Sequence, residues 1–256
     1  RRAYRDRRVR RAGNEEENIA AAIESVLFAD EILVVDSFST DRTVEIAQQY
    51  PVKILQREFD FPARQKNWAM PQATHDWILL LDADERVTPE LQEEIKGILN
   101  EDEPKAVAYW VYRTNFFMDK KIRYSGWQDD KVIRLCRKDV CAYKDVKVHE
   151  EIIANGPTAF LKNKLDHYTY RGLDHFLEKS YKYASWGAYD RLEKTQNVTV
   201  FHFVVKPFFG FIKKYFFKLG ILDGKVGFVL ALQYSQYLFI RALKLWRLKQ
   251  GENLKK

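Results

Sequence analysis

The chain has 256 residues, 46% hydrophobic and 14% aromatic, so it can bury a full α/β core and carry a smaller appendage, and disorder is excluded over most of its length. Its two cysteines, Cys136 and Cys141, lack the spacing of a zinc knuckle or a redox pair, and a reducing cytoplasmic setting is expected. The net charge of +7 is uneven: Arg1 to Gly13 carries +6, Lys206 to Lys256 carries +9, and the body between them −8. Ends of this kind are expected to meet an anionic surface, membrane or nucleic acid.

In chain order, Arg1 to Gly13 holds Val9 as its single strand-forming aliphatic and reads as a basic arm, disordered or aberrant. After Asn14, residues 15–28 are helix-like, with Ile19, Ile23, Val26 and Leu27 on one side. Residues 31–35 form a short apolar strand that runs into Asp36-Ser37-Phe38-Ser39-Thr40-Asp41, a polar segment able to cap a helix over 42–49. Residues 52–55 are a second strand, and Pro62 opens a helix that continues to Met70. Residues 77–81 are a third strand, buried on both faces, which stops at Asp82-Ala83-Asp84-Glu85. Strands alternating with helices through short connections predict parallel pairing, with ligands at the carboxyl ends where Asp36 and Asp82 lie. Further on, residues 106–113 and 131–136 are strand-like and flank a polar, aromatic loop at 119–130. From Asp174 the pattern is helical and rich in aromatics.

Two carboxylates flanking one small residue at the end of an apolar strand can reach one hard cation, so Asp82 and Asp84 are candidate ligands for Mg2+ or Mn2+ rather than zinc. The plainer alternative is a solvated turn. Asp36, with Ser37 and Ser39, could bond a base or ribose, although Ser39, Thr40 or Asp41 could serve as a helix cap alone. Arg64, Gln65, Lys66 and Asn67 begin a helix, a setting that suits an anion. Asp129 and Asp130 follow Gly126-Trp127 at a loop-to-strand junction, where a carboxylate could act as a base or simply face water. His149, Glu150 and Glu151 supply a candidate ligand and a second candidate base.

In the tail, Phe208, Phe209, Phe211, Ile212, Tyr215, Phe216, Phe217 and Leu219 interleave with Lys206, Lys213, Lys214 and Lys218. The uninterrupted apolar run beyond it falls short of the ~20 residues of a spanning helix. Basic aromatic helices of this kind are expected to lie in a membrane interface, with a helical subdomain packed on the core or a homodimer face as the alternatives.

Together these residues resemble the family-2 glycosyltransferases with a GT-A fold, in particular the branch containing the lipopolysaccharide core β-1,4-glucosyltransferases. The resemblance rests on an ordered series: Asn14-Glu15-Glu16-Glu17-Asn18-Ile19, Val34 to Thr43, Gln65-Lys66-Asn67-Trp68-Ala69 and Leu81 to Glu85. It continues with Gly126-Trp127 through Asp130 to Arg134-Leu135, Val148-His149-Glu150, and Lys206-Pro207 to Gly224. It implies a Rossmann-like, mostly parallel nucleotide-sugar-binding sheet with helices on both faces over residues 14–170, and a helical membrane-associating extension over 171–256.

The implied donor is a UDP-hexose, with glucose as the sugar and a lipid-linked saccharide such as lipopolysaccharide core as acceptor. Asp36 and Ser37 would bind base or ribose, with Glu15, Gln65, Lys66, Asn67 and Ala83 nearby. Asp82, Asp84 and His149 would hold metal and diphosphate, and Asp130, or second Glu150, would be the base of an inverting displacement. Residues 206–250 would rest on the inner face of the cytoplasmic membrane, with no nucleic-acid partner. The chain departs from the family pattern at Arg1 to Gly13, which is Arg-rich where family members open with a hydrophobic strand. Rival readings are a phosphohydrolase of the haloacid dehalogenase type and a non-catalytic membrane or nucleic-acid binding module.

Overall fold

The computed structural model describes residues 14–144, 151–170 and 172–252. The basic arm, His149 and Glu150 therefore lie outside the described residues. The chain divides into two compact units: one comprises Arg1–Arg113 and Lys131–His167, the other Thr114–Asp130 and Tyr168–Lys256.

In chain order the first unit contains α1 (Ile19–Glu24), β1 (Leu33–Asp36), α2 (Thr43–Ala47), β2 (Lys53–Gln56), α3 (Pro62–Ala69), β3 (Trp77–Leu79), β4 (Glu85–Val87) and α4 (Pro89–Leu99). β5 (Ala108–Phe117) begins in this unit and ends in the second, where it meets β6 (Lys120–Lys121). β7 (Lys131–Arg137), β8 (Cys141–Tyr143), β9 (Ile152–Ala154) and β10 (Thr158–Phe160) return to the first unit, and β11 (Leu165–Tyr170) again passes into the second.

The expected strand-helix alternation yields parallel pairing between β1 and β2, in the register Leu33↔Lys53 to Asp36↔Gln56. Ile19, Ile23 and Ala47 are buried over this pair against Val34 and Ile54, so α1 and α2 are held by their apolar sides. β10 also runs parallel to β5. β3 instead pairs antiparallel with β7, and β7 antiparallel with β5, within a mixed sheet of order β3-β7-β5-β11-β4. Alternation along β3 feeds two cores. Ile78 and Leu80 pack with Phe61, Ala63 and Ile133, whereas Trp77, Leu79 and Leu81 pack with Leu91, Ile95 and Tyr109.

The expected strand over 77–81 ends at Leu79 because a tight turn takes over. Leu80 N–H still donates to Arg134 O at 2.7 Å, but Glu85 N–H then closes back on Asp82 O at 2.9 Å. α4 starts where Pro89 follows Thr88, whose hydroxyl accepts from Leu91 N–H at 3.3 Å.

In the second unit, Met118 and Asp119 both take positive φ (48° and 63°), the backbone of a two-residue primed turn joining β5 to β6. Phe117, Ile122, Phe176 and Leu230 form its core, with Phe117 and Phe176 edge to face at 4.9 Å. α5 (Leu173–Tyr189) and α6 (Lys206–Ile212) pack on α7 (Gly224–Lys249), and π-helical turns at Phe201–Val205 and Lys213–Phe217 flank α6. The 3-10 turn Gly220–Asp223 leads into α7. A side chain at Gly227 would place its Cβ 1.8 Å from Gly220 O, so only glycine permits that approach. α7 continues through Gln233, Ser235 and Gln236. Among the described residues, the Gly220–Lys249 segment is the one helix long and apolar enough to cross a membrane by length and composition.

Candidate functional site

Two strand ends in the first unit collect the polar residues singled out in the sequence. At the end of β1, Asp36 is buried and its carboxylate accepts from Ser39 N–H at 3.2 Å, from the Ser39 hydroxyl, and from Gln56 Nε2 at 3.0 Å. Phe38 between them has a φ of 56°, left-handed for a bulky residue, which marks a loop held by its surroundings. Ser37 is buried and pairs with the Gln65 amide, whose Nε2 donates to its hydroxyl at 2.9 Å. Asp36 with its partners and the Ser37–Gln65 pair thus both sit at the end of β1. Asn67 instead ties α3 to β8, since its amide donates to Tyr143 O and accepts from Tyr143 N–H, both at 2.8 Å.

The second cluster forms after β3. Asp82 Oδ1 meets Lys66 Nζ at 3.0 Å and Asp82 Oδ2 meets Arg134 Nη2 at 2.5 Å. Arg134 also donates to Glu85 Oε1 at 2.7 Å, and Arg113 reaches the same oxygen at 3.0 Å. The other Glu85 oxygen accepts from Asp82 N–H at 3.0 Å, so the turn is clamped by its own acid. Glu85 is fully buried and the Arg134 side chain is 5% exposed, whereas Asp82 keeps 38% of its side chain in solvent. Burial works to raise the Asp82 carboxyl, but Arg134 and then Lys66 outweigh it and hold that carboxyl well below the usual carboxylate range. Burial pulls Arg134 the other way; Asp82 and Glu85 prevail and keep it protonated. Its buried Nε–H has no hydrogen-bond partner among the described residues.

Glu15 and Ala83 join this region through one arginine. Glu15 Oε2 accepts from the Asn18 amide at 2.9 Å, and Arg86 donates to Asn18 O at 2.9 Å and to Ala83 O at 2.7 Å. Asp84 lies 3.5 Å from His167 Nε2 across the β4–β11 pairing. Hard carboxylate oxygens at Asp82 and Asp84 suit Mg2+ or Mn2+ in kind. As arranged, both Asp82 oxygens are engaged by cations, and no group of three His, Cys, Asp or Glu able to hold a metal forms among the described residues. The described residues do not by themselves fit a metal site.

Asp130 belongs to the second unit, where its Oδ2 accepts from Asn115 Nδ2 at 2.9 Å. The loop that carries it is latched by Asp223, which accepts from the N–H groups of Arg123 and Tyr124 at 3.0 and 3.1 Å and from the Ser125 hydroxyl at 2.7 Å. Lys214 Nζ donates to Ser125 O at 3.1 Å, and Lys218 meets Asp129 at 3.3 Å. Glu85, Arg113, Arg134 and His167 join these clusters although the sequence alone assigns them no role. The signal for Arg134 was present: a charge inside a strand of apolar residues needs a buried acid.

In α/β units ligands are received at the carboxyl ends of the strands, and that is where these ionised and polar side chains gather. The sequence model of glycosyl transferase family 2 matches residues 12–216, and the chain belongs to that family. An uncharacterized glycosyltransferase of Rickettsia felis is 30% identical over 91% of this chain and 86% of its own length. The lipopolysaccharide core biosynthesis glycosyltransferase LpsC of Rhizobium meliloti is 27% identical over 91% of this chain and 89% of its own. Among solved structures, S. aureus TarS 1–349 in complex with UDP-GlcNAc matches 95% of this chain and 91% of its own at 16% identity, with a TM-score of 0.48, a likeness too low to carry an argument.

Proposed function

We propose that this glycosyltransferase moves a hexose, glucose by preference, from a UDP-sugar to a lipid-linked saccharide such as a lipopolysaccharide core, with inversion at the anomeric carbon. The observation that carries the reading is the pair of strand-end clusters in one unit. Asp36, Ser37 and Gln65 offer bonds to a base and ribose, and Lys66, at the Asp82–Arg134–Glu85 cluster, offers a cation to a diphosphate. Asp130 is the proposed base. It takes the proton of the acceptor hydroxyl as that oxygen bonds to the anomeric carbon, and the bond to the UDP oxygen breaks with its electron pair leaving on the diphosphate. Lys66 meets the charge that develops there, and the Nε–H of Arg134, which has no partner among the described residues, is a further donor on the same cluster. Residues 206–250 are proposed to rest on the inner face of the cytoplasmic membrane, where a lipid-linked acceptor would be found.

Turnover separates this reading from a phosphohydrolase. We expect UDP release from UDP-glucose that depends on a lipopolysaccharide-core acceptor and falls by about 100-fold or more in Asp130→Asn, with UDP affinity unchanged. Release of inorganic phosphate from p-nitrophenyl phosphate without any sugar acceptor would favour the hydrolase instead. Running the same assay with and without Mn2+ decides whether the cluster needs the expected divalent cation.

A further inference from the structure

The second unit holds a groove of about 430 Å³ lined by Phe201, Val205, Phe209, Tyr234 and Leu238, with Lys206 and Lys213 among them. That volume falls in the ~300–1,000 Å³ range of small-molecule sites. Its walls come from α6, from the two π-helical turns that flank it, and from α7. Single π turns widen a helix and re-aim side chains, and they recur at functional positions.

The charged residues that line the groove, Lys206 and Lys213, have one sign. Between residues 201 and 249 the only acid is Asp223, and its oxygens are taken by Arg123, Tyr124 and Ser125. Lys206 lies 5.5 Å from the Phe201 ring, and its amine is pushed down by burial and then by the cations Arg241 and Arg191. Lys206 and Lys213 are seven residues apart on a continuous helical run, two turns along one side. An apolar trough whose lining carries two cations and no acid complements a molecule with a hydrocarbon chain and an anionic head.

We propose that this groove takes an acyl chain of an anionic phospholipid, with Lys206 and Lys213 on the phosphate of its headgroup. The inference deepens the membrane part of the proposed function and rests on it. The assay below needs no sugar transfer, so its failure leaves the donor site standing, and failure of UDP binding leaves the groove standing.

The test is flotation of the full chain with phosphatidylcholine vesicles that either contain or lack phosphatidylglycerol. Titration with dodecyl phosphate below its micelle concentration and with inorganic phosphate accompanies it. We expect binding to the phosphatidylglycerol vesicles and to dodecyl phosphate, about tenfold weaker or worse in Lys206→Glu/Lys213→Glu and in the groove-filling Val205→Trp. Lys225→Glu/Lys249→Glu, which removes two charges outside the groove, should stay within about twofold on dodecyl phosphate. Thermal melts confirm that each variant folds, and Phe209→Ser replaces Val205→Trp if that one does not. Wild-type behaviour of both groove variants would mean that neither the groove nor its two lysines hold the lipid, and the proposal would fail. It would fail equally if inorganic phosphate bound as tightly as dodecyl phosphate, or if sedimentation showed a dimer that Val205→Trp dissociates, since a second copy would then occupy the groove.

Discussion

Arg134 sits in a strand whose neighbours Ile133, Leu135 and Cys136 are all buried, and its charge is tolerable only because Asp82 and Glu85 meet it there. Glu85 in turn holds Arg113 and the backbone of the acidic turn, so it organises the cluster more than either Asp of the motif. Glu85→Gln leaves two guanidinium groups short of a counter-charge, and we expect a loss of about 3–5 kcal/mol in denaturant unfolding. An unchanged midpoint would contradict that role. The Asp82 carboxyl is depressed, so the stability it supplies is complete above the unfolded value of about 3.9 and is lost only as pH falls below it. UDP affinity should accordingly show no titration of this group between about pH 5 and 8. Cys136, pushed up to about 12 by burial and then by the neighbouring Cys141, should resist iodoacetamide at about pH 8 in the native protein, as should Cys141. Both should react in denaturant, and rapid alkylation of the native chain would contradict the buried placement. At this scale the strand-end positions of Asp36 and Asp82 are legible, because an apolar run stopping at an acid is a local signal. The Arg134 partnership is not, because it arises when β7 lies antiparallel to β3 and brings together residues 52 positions apart.

Among the elements, those with strong local patterns formed close to where the sequence put them. β1, β2, α3 and β7 begin or end within about two residues of the expected bounds, the usual slack at element ends. The helix expected over 15–28 is reduced to Ile19–Glu24 because its flanks are turns: Asn18 N–H bonds Glu15 O, and Val26 N–H bonds Ile23 O. Sheet order was less legible. The pattern of strands and short helices predicts parallel neighbours, but nothing local distinguishes a strand that pairs with its predecessor from one that waits for a partner fifty residues on. The Asp223 latch is likewise non-local, joining the loop of Asp130 to the turn before α7 across about a hundred residues. Asp223→Ala removes an ionic acceptor from two backbone donors and a hydroxyl, and should cost about 2–3 kcal/mol. Amide exchange at Arg123 and Tyr124 should quicken in the same variant. Wild-type exchange there would mean that the loop is held by other contacts.

For the whole molecule, charge and family describe a consistent division of labour. The acidic body carries the strand-end clusters and matches glycosyl transferase family 2 through residue 216, while the basic tail carries exposed aromatics such as Phe217, 79% exposed. The ordered series of short motifs made the family legible, because each motif alone is common but their sequence along the chain is not. The grouping of Thr114–Asp130 with the C-terminal helices was hidden, since those residues are inserted between strands of the first unit and join the second through Phe117, Ile122 and Asp223. The first unit is proposed to bind the nucleotide diphosphate of a sugar donor. Isothermal titration of UDP into the full chain and into Lys66→Ala tests it most directly, because Lys66 keeps 20% of its side chain exposed and its loss leaves the Arg134–Asp82 and Arg134–Glu85 pairs in place. We expect saturable binding by the native chain, weakened about tenfold or more in the variant at an unchanged melting temperature. No UDP binding by the native chain, with and without Mn2+, or equal affinity in the two proteins, would contradict the account.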